Sequence, residues 1–515
     1  MESQSQTKTR LIVLVAVGAA FMSGLDLFVV NVAFDEIGAA FGVGRSGGPT
    51  MADMSWILNI YAVVFAALLV PFGRLADRYG RKSIFVGGLA LFVLASVACA
   101  VSGGVWALVI FRALQAAGAA AMTPTSLAIL MAALPEEKRM GGVRLWSATG
   151  AIAAAIGPTV GGILTQISWQ WVFLINLPIG IVLLWFAVRH VRESKHNEDA
   201  TTPDLGGALL FAAAVALLAL GLVNSPDWGW ASFGTIGSLA GALVLMLVFA
   251  WRSNHHISPV IDPALLKVKT FLWANISMLI FNVAFAINLL VGILWMQQIW
   301  GWSALTTGIA IAAGPAMVPI TVALTNKLLP KATPSQLVVL GALLFGIGTA
   351  LVASSIAIEP NYWLGYLPGW VIGGIGVGFA LPNLMAGAAR DLPPAQTSTG
   401  TAIVSMARQI GFVIGISLLF AIIGDSQGPA AADGFLVTWW VSTALLVPLG
   451  RIADRYGRKT VFVGGLALFV AASAACALSG NVWMLVLFRG LPAAGAAAMT
   501  PTSRSTLLAA FTPEK

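Results

Sequence analysis

The chain has 515 residues, of which 58% are hydrophobic and only 9% are charged. An average soluble domain carries about 25% charged residues, so a water-soluble fold could not cover its surface with this composition. The composition therefore argues against a soluble enzyme, a disordered chain and a DNA-binding protein. The net charge of +8 finds its explanation in where the basic residues lie along the chain.

Long apolar runs predict sixteen transmembrane helices, and hence an all-α polytopic membrane protein. A β-barrel is excluded because the runs are continuous and lack a period of two. Two cysteines are too few for a disulfide framework, and the four histidines show no metal-ligand spacing. The predicted spans lie near 11–33, 55–72, 83–101, 106–132, 145–166, 171–188, 205–223, 233–251, 272–299, 304–326, 336–357, 365–389, 400–424, 434–449, 460–478 and 482–508.

The basic residues predict the orientation of these spans. With the N-terminus inside, 24 of the 28 Lys and Arg residues fall on the inner side, and Arg45 is the one basic residue of the outside loops. This is the positive-inside pattern of membrane proteins. It explains the net charge without a nucleic-acid partner. Because sixteen is even, both termini are predicted to be cytoplasmic, in the inner cell membrane. The first run lacks a convincing cleavage site and is interpreted as a retained helix.

One segment of the chain is repeated. Residues 67–138 recur at 444–515 with an offset of 377, and 53 of the 72 positions are identical. Ancient repeats of transporter folds keep shape but little sequence. This repeat is therefore interpreted as a late duplication of one loop and two helices, and residues 450–515 are a copy of residues 73–138.

Asp26 is the one carboxylate that the map places clearly inside a span of the first fourteen. Burying it costs about 2.5–3.5 kcal/mol on insertion scales, which suggests a role or a partner. Arg112, in the fourth span, is the candidate partner. Desolvation and a nearby Arg shift a carboxyl pKa in opposite directions, so a change in their separation could load and release a proton. The alternatives are a static ion pair, or an Asp near enough to the outer end to be hydrated.

A short basic segment joins the second and third spans. It reads GRLADRYGRK over residues 73–82, and glycines there permit a tight turn and close helix approach. An inner loop that is merely positive would explain the basic residues but not the frame of Gly, Asp and Gly. We predict a loop in which Asp77 meets a helix N-terminus or a neighbouring Arg. Its members are Gly73, Asp77, Arg78, Gly80 and Arg81.

The fifth span carries small residues on one helical face. Gly150, Gly157 and Gly161 share this face, so that another helix can approach backbone to backbone. Pro158 removes a backbone hydrogen bond and is expected to bend the helix. Gly162 completes the segment.

These motifs together resemble the major facilitator superfamily, and within it the fourteen-span drug:proton antiporter family. Residues 73–82 resemble the loop signature between spans 2 and 3, which implies that they form a gating loop. Residues 150–162 resemble the antiporter signature of span 5. FRALQAAGAAA (111–121) is similar to the span 4 signature, with Ala116 where Gly is usual. LDLFVVNVA (25–33) and WQWVFLINLPIG (169–180) also resemble family segments. The resemblance covers residues 11 to about 449.

The resemblance implies a major facilitator fold with two six-helix halves. Residues 1–188 would form the N-terminal half, 189–271 a linker with spans 7 and 8, and 272–449 the C-terminal half. The departure from the family is 450–515, an extra C-terminal helix pair. In this copy Arg489 matches Arg112, but Pro492 stands where Gln115 does, and the pair brings no membrane carboxylate.

The function expected from the resemblance is proton-coupled export of hydrophobic or amphipathic small molecules, cations included, as in multidrug efflux. The proton gradient would supply the energy, with no cofactor and no metal, and the protein would work as a monomer in the bilayer. The rival hypotheses are an exporter of an endogenous metabolite or lipid, and a non-transporting or disabled membrane protein. An enzyme is not expected. The candidate residues of the substrate cavity are Asn31, Tyr61, Gln115, Trp295, Gln297 and Asn383.

Overall fold

The computed structural model describes residues 2–193, 202–329, 332–392, 397–426 and 428–446. Every long element in these ranges is a helix, which confirms the predicted all-α fold. The helices are α1 (Glu2–Val32), α2 (Phe34–Phe41), α3 (Met51–Tyr79), α4 (Arg81–Ala100), α5 (Val105–Ala133), α6 (Glu136–Thr165), α7 (Trp171–Leu174), α8 (Asn176–His190), α9 (Leu205–Val223), α10 (Ser225–Trp228), α11 (Phe233–His255), α12 (Pro263–Lys267), α13 (Lys269–Leu294), α14 (Ala304–Leu328), α15 (Pro334–Ser355), α16 (Leu367–Ala389) and α17 (Thr397–Ile423).

The membrane-spanning helices follow the predicted map. Within the described residues, 13 helices are long and apolar enough to cross a bilayer, and they coincide with the first thirteen predicted spans. Residues 432–446 are helical and fall within the fourteenth, whose end lies outside the described residues. The predicted spans at 460–478 and 482–508 also lie outside the described residues. The total of fourteen spans plus two therefore stays a prediction.

The chain forms two compact units. The first contains the described residues of Met1–Ala316 and Ala388–Thr438, and the second those of Met317–Gly387 and Trp439–Lys515. In the second unit, α15 and α16 pack backbone to backbone. A Cβ at Gly341 would lie 2.5 Å from the carbonyl oxygen of Gly376. The predicted domain boundaries after residues 188, 271 and 449 stay predictions.

The core of the first unit holds α4 against α5. The side chains of Phe85, Phe92 and Met122 are fully buried there. Lipid tails are as apolar as these side chains, so close packing must supply much of the stability. Gly88 and Gly118 make it possible. A Cβ at Gly118 would lie 2.6 Å from the backbone nitrogen of Phe92, a distance that no real side chain adopts.

Two adjacent glycines of α4 are expected to respond in opposite directions to alanine. In Gly88→Ala the new Cβ would lie 2.6 Å from the Cβ of Ala121, so we expect a loss of about 1–3 kcal/mol from overpacking. Gly87 is exposed, with nothing within 4 Å of a Cβ. Gly87→Ala should gain about 0.5–1 kcal/mol of helix stability. Thermal unfolding of the purified protein in detergent measures both, and equal shifts would contradict this packing.

The helix pair α9–α11, predicted as the linker spans, is joined at one end by a buried carboxylate. Asp204 caps α9 by accepting the Gly207 amide at 2.7 Å, and its carboxylate lies 2.8 Å from Arg252 Nη2. Burial alone would raise the pKa of Asp204. The hydrogen bonds from Arg252 and Gly207, with His256 nearby, outweigh burial and hold that pKa below its ordinary value. The carboxylate therefore stabilises the fold in its charged form.

Asp204→Asn keeps a capping oxygen but removes the charge, so it isolates the ion pair. A depressed folded-state pKa means that the stabilisation is present above the ordinary Asp pKa of about 3.9 and is lost as pH falls through the lower folded value. We expect the variant to be less stable by about 1–2 kcal/mol at pH 7. The difference should shrink toward zero as the pH is lowered below about 4. Unfolding measured across this range checks it, and a pH-independent difference would show that the charge contributes nothing.

Candidate functional site

Asp26 sits at the centre of a buried polar cluster that joins four helices of the first unit. It lies on α1 and is 1% exposed. Arg112 of α5 places its Nη1 atom 2.6 Å from Asp26 Oδ2. Gln115 of α5 and Asn176 of α8 donate to Asp26 Oδ1 at 2.7 and 3.0 Å. Both carboxylate oxygens are thus satisfied, as a buried charge requires.

Arg112 is held on several sides. Its Nη1 also donates to Gln115 Oε1 at 2.6 Å, and its Nε to the Ile57 carbonyl at 3.3 Å. The guanidinium carbon lies 4.2 Å from the centre of the Tyr61 ring, a cation–π contact. A buried ion pair forms without loss only when such additional partners are present. The structure therefore brings together the two residues that the sequence proposed as a pair.

Two members of the cluster escaped the sequence analysis. Ser96 of α4 accepts hydrogen bonds from Gln115 Nε2 at 2.7 Å and from Asn176 Nδ2 at 3.3 Å. Its hydroxyl donates to the Phe92 carbonyl at 2.8 Å. In the sequence, Asn176 is a single amide residue between apolar residues, and this was the one feature that could have marked it as a member of the cluster. Gln115, predicted as cavity lining, is fully buried, and its amide group forms hydrogen bonds within this cluster.

The glycine face of α6 packs against α1 beside Asp26. A Cβ at Gly157 would lie 2.7 Å from the Cβ of Phe28, and one at Gly161 would lie 2.8 Å from the Val29 carbonyl oxygen. Gly150, by contrast, has nothing within 4 Å of a Cβ. Only part of the predicted face therefore makes the close contact. The turn of α1 that follows Asp26 rests directly on α6.

The opposite side of the same segment packs against α14. A Cβ at Gly162 would lie 2.5 Å from the Ala304 carbonyl oxygen, and one at Gly308 would collide with the Pro158 carbonyl. Thr159 Oγ1 donates to the Gly308 carbonyl at 3.3 Å. Pro158 lies inside α6, which continues through it to Thr165. Helix α6 thus contacts α1 with one face and α14 with another.

The predicted gating loop at residues 73–82 is corrected by the structure. Helix α3 continues to Tyr79 and α4 begins at Arg81, so Gly73, Asp77 and Arg78 are helical and Gly80 alone forms the corner. Charged residues near the end of a span need not end its helix, because long basic side chains can extend toward water. Gly80 has a φ of 112°, which other residues rarely adopt.

Of the two partners expected for Asp77, the structure shows the neighbouring Arg. Asp77 pairs with Arg81 one turn later, at 3.1 Å, while Arg78 lies 5.5 Å over the ring of Tyr79. The start of α4 is capped instead by Glu193, which follows α8. Its carboxylate accepts the backbone amides of Lys82 and Ser83 at 2.9 and 3.0 Å. Sequence analysis missed Glu193 because nothing in its surroundings marks a distant helix as its partner.

The other cavity candidates are spread along the chain. Asn31 donates to the Leu27 carbonyl of its own helix at 2.9 Å. Gln297 lies in a π-helical turn, Trp295–Ile299, that follows α13, and donates to the Val32 carbonyl at 2.9 Å. Trp295, in the same turn, packs 6.1 Å from the Phe435 ring. Asn383 belongs to the second unit and donates to the Phe379 carbonyl at 2.8 Å.

The described residues include no group of three or more His, Cys, Asp or Glu side chains that could hold a metal ion.

The family model of the major facilitator superfamily matches residues 16–416 and again 416–515. The chain belongs to the major facilitator superfamily. It is therefore a multi-pass membrane transporter, as the motifs predicted, and the second match covers the repeated segment.

Relatives of this superfamily member carry names that concern resistance. The chain is 32% identical to the multidrug resistance protein Stp of Mycobacterium tuberculosis, over 81% of this chain and 76% of that protein. It is 30% identical to the methylenomycin A resistance protein of Bacillus subtilis, over 84% and 91%. Among solved structures, a POT family transporter in complex with a thioalcohol-conjugated peptide superposes with a TM-score of 0.63 at 14% identity, over 87% and 96%. That similarity shows the fold alone.

The contact between α1 and α6 predicts a difference between two glycines of one face. Gly161→Ala places a Cβ against the Val29 backbone and must displace the helix that carries Asp26. We expect transport per inserted molecule to fall at least about tenfold, the effect of roughly 1.4 kcal/mol. Gly150→Ala, with open space around the Cβ, should transport normally. Uptake into vesicles, normalised to inserted protein, measures both, and equal activities would contradict a role for this contact.

Proposed function

We propose that the protein exports hydrophobic or amphipathic small molecules from bacterial cells in exchange for entering protons. The resistance names of the relatives support export of drug-like compounds. The observation that carries proton coupling is the Asp26–Arg112 pair, 2.6 Å apart and almost completely buried. Asp26 is a titratable group at membrane depth, where such residues commonly serve proton relays. The distribution of basic residues supports a cytoplasmic position for both termini.

The coupling step follows from the charge balance of the cluster. A proton that arrives from outside neutralises Asp26 and removes the counter-charge of Arg112. Arg112 then keeps Tyr61 and the Ile57 carbonyl as partners, but a buried cation without an anion is unfavourable. The protonated protein is therefore biased toward a conformation in which Arg112 gains water or another anionic partner. Substrate binding and protonation of Asp26 would therefore compete with each other.

The helix contacts offer a path for the conformational change. Asp26 lies two residues before Phe28 and three before Val29, which rest on Gly157 and Gly161 of α6. A shift of α1 in response to protonation would move this contact. Helix α6 also touches α14 through Gly162. Alternating access needs two discrete arrangements, and close backbone packing favours discrete states over gradual deformation.

Asp26→Asn tests the coupling because it removes the titratable group and keeps the size and most hydrogen bonds. In proteoliposomes with an imposed pH gradient, we expect uphill export to fall to the rate of empty vesicles, while substrate binding remains measurable. Asp35→Asn is the matched control, since Asp35 is exposed on the short helix after α1. A panel of drug-like compounds, native lipids and metabolites identifies the class of substrate.

The outcomes separate the hypotheses. Wild-type uphill export by Asp26→Asn would remove Asp26 from the coupling mechanism. Export confined to a lipid or metabolite would replace drug efflux with an endogenous function. No energy-dependent flux of any compound by the wild-type protein would contradict export altogether.

A further inference from the structure

Arg408 is a charged residue inside the membrane that the coupling mechanism does not use. It lies on α17, the tenth residue of the candidate span Thr399–Ile423. At 1.5 Å per residue this is about 14 Å from the start of the span. A cation at this depth is costly, and such residues are rare unless they pair or serve a function.

Arg408 differs from Arg112 and Arg252 in its lack of a partner. Arg112 is paired with Asp26, and Arg252 with Asp204. The Nε atom of Arg408 is buried without a hydrogen-bond partner, and no ion pair joins its guanidinium to another described residue. The side chain as a whole is only partly buried. Part of the guanidinium is therefore accessible.

The register of the helices places Arg408 beside α13 and away from a fully lipid-facing position. A Cβ at Gly411 or Gly415 would lie 2.5 Å from the carbonyl oxygens of Leu279 and Val283, respectively. Arg408 precedes Gly411 by three residues, so it lies one turn earlier on a neighbouring part of the same face. In this parallel register it is level with residues 275–276 of α13.

No carboxylate stands at this level on the helices that pack against α17. Helices α9 and α13 contain no acidic residue. The acidic residues of α3 are Asp53, in its first turn, and Asp77, near its end. Asp227 lies in α10, between two spans. Among the described residues of these helices, none therefore supplies a counter-charge at the level of Arg408.

The neighbouring polar groups on α13 complete a site with free donors and acceptors. Asn275 and Asn282 lie two turns apart on one face, and a Cβ at Gly411 would lie 2.8 Å from the Cβ of Asn282. Each Asn donates to a carbonyl of its own helix, that of Phe271 or Met278. The two Oδ1 atoms are buried without partners. They can accept hydrogen bonds from a hydroxyl or amide of a bound molecule.

We propose that Arg408 binds the anionic group of the transported compound, so that the preferred substrates are amphipathic organic acids. The inference rests on the proposed export function. It differs from the expectation that cations are among the substrates, because Asp26 compensates the charge of Arg112, whereas no described residue forms an ion pair with Arg408. A charge-assisted hydrogen bond from guanidinium to carboxylate is about twice as strong as a neutral one, and it gives the site its selectivity.

A pair of ligands that differ in one charge tests this site. A fluorescent coumarin carboxylic acid and its uncharged carboxamide are titrated against the full-length protein in phosphatidylcholine nanodiscs by fluorescence anisotropy. We expect the acid to bind at least about tenfold more tightly than the amide. Arg408→Gln should abolish this preference, and Arg408→Lys should keep part of it, since Lys retains the charge but not the planar fork.

Two controls distinguish selectivity from general effects. Lys269→Gln removes the same charge from an exposed position at the start of α13 and should keep the wild-type preference. Arg408→Gln should unfold at the same or a higher temperature than the wild type, because it removes an uncompensated charge.

A second set of nanodiscs containing phosphatidylglycerol shows whether an anionic lipid headgroup competes. If the lipid abolishes acid binding in the wild type, the anion at Arg408 is a lipid headgroup and the proposal of an organic-acid substrate is overturned.

The remaining outcomes are also decisive. Equal affinities for acid and amide in the wild type, or an unchanged preference in Arg408→Gln, overturn the proposal. The proposal is also overturned if Arg408→Gln does not fold while Arg408→Lys folds but shows no preference for the acid. Export in a pH gradient without charge preference would leave the proposed function standing and reject this site. Preferential binding without energy-dependent flux would do the reverse.

Discussion

The need to compensate a buried charge organises the first unit of this transporter. Asp26 cannot remain ionised inside the membrane without partners, and two helices supply them: α5 through Arg112 and Gln115, and α8 through Asn176. Gln115 and Asn176 also donate to Ser96 of α4. The cluster therefore binds α1, α4, α5 and α8 together. Its hydrogen bonds to Asp26 all come from donors, which suits a carboxylate at the centre.

In the proposed mechanism, small residues connect the charge at Asp26 to the positions of the helices. Between helices in lipid there is little hydrophobic driving force, so stability depends on how closely backbones approach. At Gly157 and Gly161 the approach leaves no room for a Cβ, and the α1 turn they touch follows Asp26 directly. The residue that carries the charge, Asp26, and the residues that pack against α6 are thus neighbours on α1. A change in one cannot be absorbed without a change in the other.

Hydropathy predicted the helices, and charge counting predicted the central pair, because both depend on the cost of polarity in lipid. A single Asp in one span and a single Arg in another had either to pair with each other or to be hydrated. Hydrogen-bonding partners such as Ser96 and Asn176 carry no comparable penalty and left no pattern. The corner at Gly80 was predicted as a ten-residue loop, because basic residues at a membrane surface look alike whether helical or not. Glu193 caps a helix from about 110 residues away, which no local pattern reveals.

The geometry of the cluster also bears on the repeated segment. In the copy, Arg489 and Ser473 match Arg112 and Ser96, but Pro492 stands in place of Gln115. Gln115 is the residue that donates to both Asp26 and Ser96. Proline has no side-chain donor, so the copied sequence could not rebuild this network even beside an Asp26. The original segment at 83–132 is therefore the one whose chemistry fits proton coupling, and the repeat preserves the shape-determining residues while lacking the bridging amide.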